Sequence, residues 1–67
     1  MNEHQFWGYK NGDVYAVEIK DGNVVGACGP LYYGELLLAD PSEFDCNSED
    51  GEWVNENADD FRYREGI

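Results

Sequence analysis

The residues able to do chemistry are few, and their order keeps them apart. His4 is the single histidine, threonine is absent, and Ser42 and Ser48 are the only serines. A nucleophile needs a base within hydrogen-bond reach, and nothing in this order brings one to a serine. Cys28 lies in an apolar run between Ala27 and Gly29 with no cation beside it, so it lacks the electropositive setting of a reactive thiol. Cys28 and Cys46 also lack CxxC spacing, and they read as two thiols. Carboxylates abound, yet nothing in the sequence sets two of them apart as acid and base. The expectation is a non-enzymatic protein without a cofactor.

Calcium is the more serious chemical rival. Asp45, Asn47, Glu49 and Glu56 fall at positions 1, 3, 5 and 12 of an EF-hand-like pattern, where hard oxygen ligands are wanted. The departures weigh against it: position 6 is Asp50 instead of glycine, position 8 is Glu52 instead of an apolar residue, and no flanking helices are expected. No metal site is assigned on this pattern. None of the eight glycines precedes a lysine-bearing helix start, so there is no phosphate cradle.

Charge is the informative feature. Fifteen Asp and Glu against four Lys and Arg give a formal net charge of −11, which argues against direct binding to nucleic acid. The cations are Lys10, Lys20, Arg62 and Arg64, so residues 21–61 contain none. Within that gap stand Glu35, Asp40, Glu43, Asp45, Glu49, Asp50, Glu52, Glu56, Asp59 and Asp60. A folded chain of this mass exposes on the order of 4,300 Å². Ten acids on half of it would sit at roughly one per 200 Å², within about a factor of two of duplex DNA. Such self-repulsion opposes folding, and a field of that strength steers toward a cationic partner.

The scaffold that must hold these acids reads as mainly β: a small single-domain antiparallel β-meander of four to five strands spanning residues 1–67. Asn11-Gly12 and Asp21-Gly22 sit between apolar runs and suit type I′ hairpin turns. Between them Tyr15, Val17 and Ile19 alternate with Ala16, Glu18 and Lys20, which puts the first set on a core and the second in water. This strand should pair with residues 5–10 on one side and 23–28 on the other, with Gly29-Pro30 breaking the third strand. Residues 31–39 fit a fourth strand, the alternative being an α+β fold with a short helix around residues 30–39. Asp40-Pro41-Ser42-Glu43 has the order of a helix start and should form one turn. Residues 45–60 are expected to run over the surface, pinned by the Trp53 ring, and a last short strand should turn Phe61 and Tyr63 inward.

No basic amphipathic or membrane-spanning stretch is present, and residues 1–5 show no basic leader, so the expected address is the cytoplasm. In size, charge and compactness the chain resembles the small acidic inhibitors that phages direct against host defences, anti-CRISPR proteins and other DNA mimics among them. The resemblance covers the whole chain and rests on no motif. It implies a basic nucleic-acid-binding protein as partner, for example a CRISPR effector subunit, whose Lys/Arg-lined groove the ten acids would occupy with Trp53 at its edge. The competing reading is an acidic protein–protein interaction module without mimicry.

Overall fold

Two hairpins and a returning C-terminal strand build the sheet. The computed structural model describes residues 2–32, 34 and 39–66, with the side chains of residues 63 and 65 excepted. Strands β1 (Glu3–Tyr9), β2 (Val14–Lys20), β3 (Asn23–Leu31) and β4 (Phe61–Gly66) form one four-stranded sheet in the order β3-β2-β1-β4. All pairings are antiparallel. The mainly β meander is therefore as the sequence implies, and it carries the α-helix α1 (Ser48–Glu56).

The two turns differ in kind. At the second, Asp21 and Gly22 both take positive φ, +52° and +82°, as a type I′ turn requires. At the first, only Gly12 does, at +98°. There the Gly12 N–H donates to the Tyr9 carbonyl and the Tyr9 N–H to the Asp13 carbonyl, giving the three-residue loop that ends in a left-handed glycine bulge. The Asn11 side chain accepts the Asp13 N–H at 2.8 Å, which explains why asparagine suits this turn without left-handed backbone.

Direct cross-strand partners share a face of the sheet. Trp7, Tyr15, Val17, Ile19, Val24 and Ala27 thus line one side, where Val54 of α1 and Phe61 of β4 complete the buried cluster. The opposite side was expected in water, but Ala16 there is fully buried. Residues 40–47 form a strap across it: Pro41 is buried, Phe44 meets Phe6 edge-on with centroids 6.0 Å apart, and the Cys46 thiol reaches the Ala16 carbonyl at 3.7 Å. The single turn expected at the start of this strap is a 3-10 turn over Pro41–Glu43, closed by the Glu43 carboxylate accepting the Asp40 N–H at 2.7 Å.

Three expectations are corrected. Gly29-Pro30 does not end the third strand, because β3 continues to Leu31, opposite Val14. The pairing shifts register between Val14 and Ala16, so the ladder accommodates a proline through an irregularity. Residues 45–60 do not run over the surface as a loop, since α1 occupies most of that stretch and a second 3-10 turn, Ala58–Asp60, leads into β4. The strand proposed over residues 31–39 is corrected as well: among its described residues Leu31 alone is strand, as the end of β3, Tyr32 and Ala39 are irregular, and Gly34 is helical, as in the short-helix alternative, while residues 33 and 35–38 lie outside the described residues. Phe61 is buried as expected, and the Tyr63 side chain lies outside the description.

Candidate functional site

Helix α1 carries the densest group of the predicted acids, and its ends explain why it forms. Asn47 caps the N-terminus: its side-chain oxygen accepts the Asp50 N–H at 2.7 Å, and its amide donates to the Asp50 carboxylate at 2.9 Å. Glu49 and Asp50 stand in the first turn, where the helix dipole favours negative charge. At the far end the Asn57 amide closes onto the Trp53 carbonyl at 2.8 Å.

The helix rests on β3 through its smallest residue. Gly51 is buried against Gly26 so closely that a Cβ on it would stand 2.8 Å from the Gly26 Cα. Val54 is fully buried, and Asn55 donates to the Val24 carbonyl at 2.7 Å. With that face turned to the sheet, a period of 3.6 residues gathers Glu49, Glu52 and Glu56 within about 60° of arc on the opposite side. All three are exposed.

Trp53 lies beside this stripe, half in the core and half in solvent at 37% exposure. Its ring stacks on Tyr15 and tilts against Tyr9, both at 5.3 Å, and meets Phe61 edge-on at 6.1 Å. The aromatic group sits in a negative field: burial first, then Asp13, Asp50 and Tyr9, raise the Tyr15 hydroxyl above the ordinary tyrosine pKa.

The other predicted site residues fall elsewhere. Asp40, Glu43 and Asp45 are exposed on the strap, across the sheet from the buried aromatic cluster, so the acids form two groups rather than one face. Asp59 is exposed after α1, and Asp60 pairs with Lys10 at 3.3 Å. Glu35 lies outside the described residues. Arg64 is engaged within the fold, its guanidinium 4.1 Å above the Trp7 ring and donating to the Ala58 carbonyl at 3.2 Å. Among the described residues, the ion pairs are Lys10 with Asp60 and, when His4 is protonated, His4 with Glu18. The helical stripe is thus not neutralised by a described cation.

The calcium pattern loses its loop. Glu49 and Glu56 are at opposite ends of a regular helix, about 10.5 Å apart along its axis, so the segment does not curl around a common centre. No group of three or more His, Cys, Asp or Glu suited to a metal ion occurs among the described residues. No helix among them is long and apolar enough to cross a membrane.

What the sequence reading missed is that Gly51 and Val54, three apart, mark a buried helical edge. Asn47 with Asp50 three residues on was the available signal of its start. Comparison with protein-family models, with curated proteins and with solved structures finds no match for this chain.

Proposed function

We propose that the chain is a non-enzymatic inhibitor that imitates a nucleic-acid backbone and occupies a Lys/Arg-lined DNA- or RNA-binding groove of a larger cytoplasmic protein, such as a recognition subunit of a CRISPR effector. The observation that carries this reading is the exposed acidic side of α1, which no cation among the described residues neutralises. Glu49, Glu52 and Glu56 lie within about 60° of arc and span about 10.5 Å of helix axis, in steps of about 4.5 and 6 Å. That span equals about three phosphate steps of one strand of duplex DNA, at about 3.4 Å each. Trp53 beside the stripe offers a rigid aromatic surface on which an arginine of the groove can stack. The strap acids Asp40, Glu43 and Asp45 extend the negative field around the molecule and contribute to steering.

The test is competition. A CRISPR recognition subunit loaded with fluorescent duplex DNA is titrated with the protein at several salt concentrations. Stoichiometric displacement that weakens as salt rises supports mimicry, and the E49Q/E52Q/E56Q variant should displace poorly while keeping the parent's circular dichroism. Full potency in that variant overturns the reading. If Trp53→Ala abolishes binding while the triple variant retains it, the chain is an interaction module whose acids serve solubility.

A further inference from the structure

Ala27 and Asn47 exchange both backbone hydrogen bonds, the Ala27 N–H donating to the Asn47 carbonyl at 2.9 Å and the Asn47 N–H to the Ala27 carbonyl at 2.8 Å. In an antiparallel ladder such a pair is flanked by non-hydrogen-bonded pairs with Cα atoms about 4.5 Å apart. The Ala27–Asn47 bridge is isolated, and one residue beyond it on the two segments stand Cys28 and Cys46. Disulfides span Cα separations of about 4.4–6.8 Å. Gly26 and Cys28 point to the same side of β3, and the Cys46 Cβ stands over that side, 3.2 Å from a Cβ built on Gly26. The Cys46 thiol reaches the carbonyl of Ala16 at 3.7 Å, and Ala16 is the β2 partner of Cys28. Both residues are thiols and both are half-buried.

We propose that Cys28 and Cys46 are an oxidisable pair that closes an intramolecular disulfide on reaction with a small-molecule disulfide such as oxidised glutathione, stapling the strap to β3. Cys28 attacks first: its thiolate forms a mixed disulfide, the reagent's S–S bond breaks, and one glutathione thiolate leaves and takes up a proton. Cys46 then loses its proton and attacks the Cys28 sulfur, the Cys28–Cys46 bond forms, and the second glutathione leaves as a thiol. Two electrons and two protons pass from the protein to the reagent. Cys46 is the resolving thiol because its Sγ already stands at the carbonyl of Ala16, the β2 partner of Cys28, so its attack on a Cys28 mixed disulfide is intramolecular. Burial, then Glu18, Cys28 and Asp45, push it up to about 11, which makes it the poorer first attacker on a reagent from solution. The bond fastens the segment that leads directly into the Asn47 cap, and so fixes where α1 begins.

The experiment equilibrates the full chain with glutathione buffers of graded ratio, quenches by alkylation and measures intact mass. The expected product is a monomer lighter by two hydrogens, with circular dichroism unchanged and a melting temperature raised by about 10 °C or more. Its equilibrium constant should exceed that of the urea-unfolded chain by on the order of 100-fold, since whatever the bond adds to the fold the fold returns to the bond. Cys46→Ser should trap a single glutathionyl group on Cys28, and Cys28→Ser should stay unmodified while folded. Covalent dimers, adducts on both cysteines without ring closure, or equal equilibrium constants in folded and unfolded chains overturn the proposal.

Discussion

The contact between Gly51 and Gly26 makes a prediction that runs against helix propensity. Replacing Gly51 with alanine in an isolated helix would be favourable by about 1 kcal/mol. Here the added Cβ would lie 2.8 Å from Gly26 Cα, 2.9 Å from Gly26 N and 3.1 Å from the Val25 carbonyl carbon. All three are backbone atoms, so no side chain can rotate away, and carbon atoms meet comfortably only from about 3.5 Å. The helix must retreat by roughly 0.7 Å, loosening Val54, which is fully buried. Overpacking of this kind costs about 1–3 kcal/mol, and backbone on both sides places the cost in the upper part of that range. Gly51→Ala should therefore lose about 1–2 kcal/mol net, a fall in Tm of about 5–15 °C for a domain of this size. Urea melts followed by far-UV circular dichroism measure it, with Glu52→Ala on the exposed side of α1 as a control that stays within about 0.5 kcal/mol. Equal or greater stability of Gly51→Ala would show that only propensity acts, and that α1 does not rest on β3 through this glycine.

Two further outcomes follow from the cap and the strap. Asn47→Ala removes the side-chain bonds at both ends of the Asn47–Asp50 pair and should cost about 1 kcal/mol in a urea melt, whereas Asn47→Asp keeps an acceptor for the Asp50 N–H but sets a carboxylate against that of Asp50, so it should recover only part of the loss. Cys46 has a folded-state pKa raised from 9.0 to about 11, so the unfolded chain surrenders this proton first as alkalinity rises. The stability tied to the neutral thiol is complete below pH 9 and is lost between pH 9 and about 11. Thermal melts of reduced protein across that window should fall more steeply for the parent than for Cys46→Ala, and identical slopes would contradict the raised value.

The hairpins were legible because their signals are local: Asp21-Gly22 carries its own turn conformation, and the alternation of Tyr15, Val17 and Ile19 declares one buried face. The first turn was read in the right place but with the wrong geometry, since Asn11 acts through its side chain instead of through left-handed backbone. Helix α1 was hidden for a physical reason. A helix is normally announced by a stripe of large apolar residues, but α1 buries a glycine and a valine, and Trp53 only in part. Its attachment depends on the absence of a side chain at Gly51, which in sequence resembles a helix breaker. Burial of Ala16 was hidden likewise, because the strap that crosses that face, with Cys46 at the Ala16 carbonyl, comes from thirty residues away, and period-two reading sees only the strand itself. The acids of the candidate site were legible by type, while their division between strap and helix depended on where the chain crosses the β3 edge.

That division identifies the acid most worth testing. Glu49 and Asp50 occupy the first turn of α1, where a carboxylate is favoured by about 0.3–1 kcal/mol, and Asp50 also serves the cap. Their presence has a folding explanation and needs no partner. Glu56 is the last residue of the helix, and the last turn holds no basic side chain. The partial negative charge at that end opposes a carboxylate by a similar amount. Glu56→Gln should therefore raise stability by about 0.3–1 kcal/mol, visible as a Tm increase of a few degrees. If Glu56 belongs to a surface that meets a basic groove, the same change should weaken DNA displacement about two- to fivefold, the range of a single exposed ion pair. Stability and potency then move in opposite directions in one variant, which a loss of folding cannot imitate. Undiminished displacement by Glu56→Gln at low salt would remove Glu56 from the contact surface. A drop in its stability would show that the helix terminus is not governed by its dipole.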